Sequence, residues 1–360
     1  MARTDNLTNF LTDVSTAIKT KKGDDTPIKA SNFDTEIANL PTGSGGVDIS
    51  EYIDDKYTLN SSQLSEVGYW TKLIKKIPPI TQLPTNSSYF FSRFPCAELD
   101  LSKISKDCKP TNVSYMFRYL ATEELDISNI NLDDATNVDY LFANTVTTIK
   151  LGNNTLPKAT SFRCLFYSIQ KAKNLPYRNL DYSNVTNLMQ FLYNCYVLED
   201  DIEINAPVCA DFSSCCSSCR KIINAKFSSN ATTNISGLCS GCSVLKTLDL
   251  GGMELAGITA SGSSYTVNNF VSSCSKLENL TFGTNYGNGF ATSLSANNNY
   301  ATINLSACSL LTKASVLDVF NKVADITGKN TQKITLHANV KAQLTDEEIA
   351  IATAKNWTVA

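Results

Sequence analysis

Cys216-Ser-Ser-Cys219 and Cys239-Ser-Gly-Cys242 are two Cys-x-x-Cys pairs at nearly the separation of a zinc ribbon. Four thiolates converging on one point would hold a structural zinc tetrahedrally, and one pair alone would suit thiol–disulfide chemistry. Metal site, redox pair, disulfide scaffold and buried core are all open to these residues. The choice depends on the elements that carry them, and those elements repeat.

From Thr85 a ten-residue block recurs: TNSSYFFSRF, then TNVSYMFRYL from Thr111, TNVDYLFANT from Thr136, TSFRCLFYSI from Thr160 and TNLMQFLYNC from Thr186. Weaker copies follow, ADFSSCCSSC from Ala210, TNISGLCSGC from Thr233 and YTVNNFVSSC from Tyr265. The starts lie 26, 25, 24, 26, 24, 23 and 32 residues apart, the length of a leucine-rich-type repeat. Cys195, Cys219, Cys242 and Cys274 all take the tenth position. Cys215, Cys216 and Cys239 take the sixth or seventh, where other copies have Met116-Phe117 or Leu141-Phe142. The spacing therefore predicts core cysteines plus a ladder of tenth-position thiols along one edge, one sulfur per repeat in a line. Such a line offers no tetrahedral cage, and no cofactor is expected.

Each block is followed by a short alternating run, from ELDLS at Glu98 through ELDIS, TIKLG, NLPYR, DIEIN, NAKFS, TLDLG and NLTFG to TINLS at Thr302. Alternation of this kind reads as a half-buried strand. Leu99, Leu125, Ile149, Leu175, Ile202, Ala225, Leu248, Leu280 and Ile303 are the expected inward residues. The residues between them form a candidate concave binding surface: Asp100, Asp126, Lys150, Glu203, Lys226, Asp249, Thr281 and Asn304, with Pro176 at the NLPYR run. Tyr115, Tyr119, Tyr140, Tyr167, Tyr182 and Tyr193 lie near repeat edges, where they could stack on sugars or pack.

The predicted fold is α/β, a leucine-rich-repeat solenoid of about eight to ten coils with a stacked strand ladder, preceded by a small α-helical module. Residues 1–41 form that module, and Leu7, Phe10, Leu11, Val14 and Ile18, with Phe33 and Ile37, mark its candidate anchoring helices. Residues 42–60 are a linker, 61–84 the N-terminal cap with a helix over 61–77, 85–312 the solenoid and 313–360 the C-terminal cap. In that cap an amphipathic helix from Ser315 is expected to end near Gly328, with Val316, Val319, Phe320 and Val323 on one face. A strand through His337, a capping box at Thr345 and a last strand at Trp357 follow.

Net charge is −3 and charged residues are 18%, which argues against a nucleic-acid partner or an anionic membrane surface. No run suggests a membrane span or a signal-peptide core, so synthesis in a cytoplasm without export is expected. No phosphate loop, HExxH or GxSxG stands in the chain, His337 is its one histidine, and the acidic clusters Asp133-Asp134, Glu199-Asp200-Asp201 and Glu347-Glu348 identify no carboxylate pair. A non-enzymatic role is expected.

The blocks TNVSYMFRYLATEELDIS and TNVDYLF resemble the BspA-type leucine-rich repeats of bacterial surface and phage proteins, whose usual form runs close to TNVTNMSYMFYGCSSLTSLDLS. The segment ITGKNTQKITLHANVKAQLTDEEIAIATAKNWTVA is similar to the terminal cap of such repeats in tail and baseplate proteins of phages with Gram-positive hosts. The opening LTNFLTDVSTAIKTKKGDDTPIKASNFDTEIANLP resembles an N-terminal module of phage tail-associated proteins. Segments 201–220 and 251–265 depart from the repeat. The resemblance implies a virion component at the tail tip, anchored to other tail or baseplate proteins by its N-terminus. Its solenoid would meet a host-surface polysaccharide or protein, with a homotrimer as one expected arrangement. An architectural baseplate part and a bacterial surface adhesin are the alternatives.

Overall fold

Left-handed backbone conformations recur with the period of the sequence. Tyr89, Tyr115, Tyr140, Cys164, Gln190, Ser214, Gly237 and Asn269, all fifth in their blocks, have φ between 52° and 64°. So do the ninth residues, from Arg93 and Tyr119 to Gly241 and Ser273, at 57–76°. Inside each block the sixth amide donates to the third carbonyl and, except in the block from Thr160, the tenth to the seventh, as in Met116 N to Val113 O (3.1 Å) and Leu120 N to Phe117 O (3.2 Å). Each block is therefore two consecutive type II turns, whose third residue must take positive φ. The odd-numbered amides are left to point along the stack. Tyr115 N, Phe117 N and Tyr119 N donate to Asp139, Leu141 and Ala143 of the next block, each at 3.0 Å.

The Thr-Asn start of each block has its own ladder. Thr136 N and Thr186 N donate to the first-position carbonyls of Thr111 and Thr160, and both hydroxyls repeat the bond at 3.2 and 3.1 Å. Second-position residues pair as parallel bridges, Asn86 with Asn112, Asn112 with Asn137 and Asn187 with Asp211. Their side chains accept the fourth amide, which the turn leaves unbonded: Asn187 Oδ1 takes Met189 N at 2.8 Å and Asp211 Oδ1 takes Ser213 N at 2.8 Å.

The structure, a computed structural model, describes residues 80–94, 98–120, 122, 124–145, 148–259, 267, 269–290 and 302–360, with Ser15, Thr16 and Lys19, which are helical. The anchoring residues Leu7, Phe10, Leu11, Val14, Ile18, Phe33 and Ile37, the linker and the helix over 61–77 lie outside the described residues. The architecture is α/β, with parallel sheets and few helices. Strands β1 (Glu124–Asp126) and β2 (Thr148–Lys150) pair, as do β3 (Ile202–Asn205), β4 (Asn224–Ser229), β5 (Thr247–Met253) and β6 (Asn279–Thr281) in that order. A third sheet joins β7 (Ile303–Leu305), β8 (Gln332–Leu336) and β9 (Trp357–Val359). Register follows the repeat: Leu125 faces Ile149, Ile202 faces Ala225, Ala225 faces Leu248 and Leu248 faces Leu280. All nine expected inward residues are buried, in one apolar cluster that runs from Leu83 to Trp357. Phe91, Phe117, Phe142 and Phe166, all seventh in their blocks, stack within it at 5.4, 6.1 and 5.5 Å.

Three expectations need correction. The NLPYR run is a 3-10 helix over Pro176–Asn179, because proline lacks the ladder amide and its fixed φ suits the first helical position. Helix α1 (Lys313–Lys322) starts at a Thr312 cap and stops at Val323, short of Gly328. Val323 is extended and bridges Tyr286, while Lys355 Nζ takes the helix's last carbonyls, Phe320 O at 2.9 Å and Asn321 O at 2.7 Å. His337 is not in a strand: it caps α2 (Ala338–Lys341), with Nδ1 accepting Asn339 N at 3.2 Å. The expected capping box is present at the start of α3 (Asp346–Thr353), with Thr345 and Glu348 bonded reciprocally.

Two substitutions test these ladders. Gly241 has φ +76° and its added Cβ would meet Ser218 Oγ at 3.2 Å, so Gly241→Val should cost roughly 1–2 kcal/mol in urea unfolding. Asn187→Ala, which orphans the Met189 amide, should cost about 1 kcal/mol.

Candidate functional site

The cysteines lie inside the stack. The ladder expected along an edge is a buried one, with Cys195, Cys219, Cys242 and Cys274 all at 0% exposure. Each donates its thiol proton to the seventh-position carbonyl of the preceding block, Phe166, Leu192, Cys216 and Cys239, at 3.0–3.1 Å. The Cys-x-x-Cys spacing thus arises from two positions of one block rather than from a convergent site. Every described cysteine is free. Burial pushes the Cys164 thiol up to about 11 and those of Cys209 and Cys308 up to about 12, and raises Cys216 and Cys219 well above the ordinary range. At neutral pH these sulfurs are held in the protonated form inside the core, which disfavours nucleophilic chemistry.

The candidate concave residues stand in one exposed row along the sheets, Asp126 beside Lys150, and Glu203, Lys226, Asp249 and Thr281 in succession. Most are engaged locally. Asp100, Asp126, Asp249 and Asn304 accept the amides of Ser102, Ser128, Gly251 and Ser306, each two residues on, at 2.8–3.1 Å. Hydrogen bonds from Ser128 hold the Asp126 carboxyl below its usual range. Lys150 pairs with Glu124 at 2.6 Å and Lys226 with Glu203 at 3.4 Å across adjacent strands. Exposed pairs of this kind contribute at most about 1 kcal/mol. Asp100, Asp126, Ser102, Ser128 and Asn129 line a shallow cleft of about 150 Å³. Small-molecule sites usually need about 300 Å³ or more.

The acidic clusters are likewise engaged. Asp134 pairs with Lys158, Glu199 with Lys173 at 3.1 Å and Glu348 with Lys313 at 2.8 Å. Asp201 accepts two bonds from Asn224.

The turn edge differs. Tyr89, Tyr115 and Tyr140, each held outward by its left-handed backbone, stack ring on ring at 4.5 and 4.7 Å, 3° and 8° from parallel. Tyr167 and Tyr193 continue the row at 5.1 Å. Arg118 lies over Tyr115, Tyr119 and Tyr140, at 4.7–5.4 Å from the ring centres, and Arg93 over Tyr119 at 4.5 Å. Beyond Tyr193 the corresponding positions carry Ser217, Ser240 and Ser272. Tyr182, expected with the others, instead packs edge-on against Phe162 and Phe191 and donates its hydroxyl to Tyr177 O. Repeat periodicity does not mark the arginines, although Arg93, Arg118 and Arg163 all fall within four residues of a turn-edge tyrosine.

No protein-family model matches the chain, and no curated protein matches it. Among the described residues, no helix is long and apolar enough to cross a membrane.

The raised thiols make a pH prediction. An unfolded thiol ionises near 9.0, whereas Cys164, Cys209 and Cys308 cannot until about 11 to 12, so above pH 9 the unfolded state binds fewer protons. The stability conferred by neutral thiols should be present below pH 8 and fall between pH 9 and 11. Thermal melts across that range, with the folded protein resisting alkylation at pH 8, check it.

Proposed function

We propose that the chain is a BspA-type leucine-rich-repeat solenoid with no enzymatic activity, serving as a recognition component at the tail tip or baseplate of a phage of a Gram-positive host. Its N-terminal module, residues 1–41, anchors it to other tail proteins, and its repeats meet a polysaccharide or protein of the host surface. The carrying observation is the turn-and-strand unit repeated in register over one apolar core among the described residues, which produces an extended surface. Surfaces of that shape suit extended partners. Among the described residues Asp126, Glu348, the tenth-position thiols and His337 are engaged in caps, ladders and ion pairs.

Resemblance of the repeats, the terminal cap and the opening module to phage tail proteins supplies the setting. An architectural baseplate role is the competing outcome of one experiment. Excess purified full-length protein is added to host cells before the particle that carries it. Recognition predicts that particle adsorption falls in proportion to the added protein. Unchanged adsorption, with the protein retained by particles lacking it and not by cells, would assign the architectural role instead.

A further inference from the structure

The turn edge carries three arginines, of which two pair with no carboxylate among the described residues. Arg163 pairs with Asp139 at 3.0 Å, and that acid also accepts Ser161 Oγ at 2.7 Å. Arg93 and Arg118 have no such partner among the described residues. Among the described residues their guanidiniums make a single hydrogen bond, a long one in which Arg118 Nη2 donates to Tyr119 Oη at 3.4 Å. The Nε atoms of both are buried with no acceptor. Native chains keep few donors in that state, and those they keep call for an explanation.

Both guanidiniums rest on the Tyr119 ring, and Arg118 is also bounded by Tyr115 and Tyr140. Cation–π contact places each cation before any ligand arrives, so little rotamer freedom is left to lose on binding. The stacking also limits what the tyrosines can do. Both faces of Tyr115 are covered, by Tyr89 at 4.5 Å and Tyr140 at 4.7 Å. A sugar ring or nucleobase cannot stack on Tyr115, which closes that ring to the aromatic-face recognition common in single-strand and glycan binding. What the edge can offer is guanidinium N–H groups and phenol hydroxyls in consecutive repeats. Planar forked donors match oxyanions, and two of them one repeat apart favour a chain of linked anions over a lone ion.

We infer that Arg93 and Arg118, framed by Tyr89, Tyr115, Tyr119 and Tyr140, bind phosphate or carboxylate groups of an extended anionic polymer lying along the turn edge. This names a ligand class for the recognition role proposed above, and rests on that reading for its biological setting.

Calorimetric titration of the full-length protein with inorganic polyphosphate, polygalacturonate and neutral dextran tests it. Binding of one or both anionic polymers and not of dextran is expected, and the two arms separate phosphate from carboxylate. The variant R93Q/R118Q should bind about tenfold more weakly or worse, with an unchanged circular dichroism spectrum and melt. Should that variant unfold, R93K/R118K keeps the charge and loses the fork, and should bind more weakly than the parent. Equal binding by either folded variant, no binding of both polymers, or tighter binding of a single-stranded DNA oligonucleotide would overturn the inference. Polymer binding without any block of particle adsorption would leave this site standing and remove the receptor role. Blocked adsorption without polymer binding would do the reverse.

Discussion

The structure depends on one backbone constraint, the left-handed conformation at the fifth and ninth residues of each block. With those residues at positive φ, the odd amides leave their own turns and bond to the next block, as Gln190, Leu192 and Asn194 do to Ser213, Cys215 and Ser217. For tyrosine, arginine and glutamine this conformation costs on the order of 1 kcal/mol or more each. The cost is offset because the inter-block bonds of the odd amides depend on it, and because the same geometry drives the sixth, seventh and tenth side chains into one core. A block in isolation has neither the bonds nor the burial, so the units hold only as a stack.

That constraint also sorts the side chains by role. Inward positions accept Phe, Leu, Met or Cys interchangeably, which is why cysteine can substitute for aromatic and aliphatic residues without acquiring chemistry. The thiols gain a small extra, a proton donated to the preceding block's carbonyl, where Thr145 makes the corresponding bond within its own block. Outward positions on the strand face are occupied by caps and cross-strand ion pairs that keep the register. The turn edge is freer, and in the earlier blocks it holds stacked tyrosines and arginines where the later blocks hold serine and glycine.

Much of this was legible in the sequence. The period fixed the buried residue of each strand, and Leu99 through Ile303 are all buried as the alternation requires. Thr345 and Glu348 identified a helix start because a capping box is local chemistry. Failures came where a single residue outweighs the pattern. Pro176 ends strand pairing by removing a donor, and Val323 leaves α1 to bridge Tyr286. His337 looked like one more alternating position, but its imidazole caps a helix that only four residues define. The arginines escaped notice because they occupy the ninth, eighth and fourth positions, so no column of the aligned repeats holds them. Their association comes from side chains reaching around one ring, which periodicity does not encode.

The most direct test concerns register, which bonds from block to block carry along the described residues. Deleting residues 186–209 removes one period and joins Val185 to Ala210, the start of the next block. The account predicts a folded, cooperatively unfolding protein with an unchanged circular dichroism signal per residue, while deletion of residues 186–197, half a period, abolishes that fold. If the whole-period deletion unfolds the chain as completely as the half-period one, the coil-by-coil account is wrong.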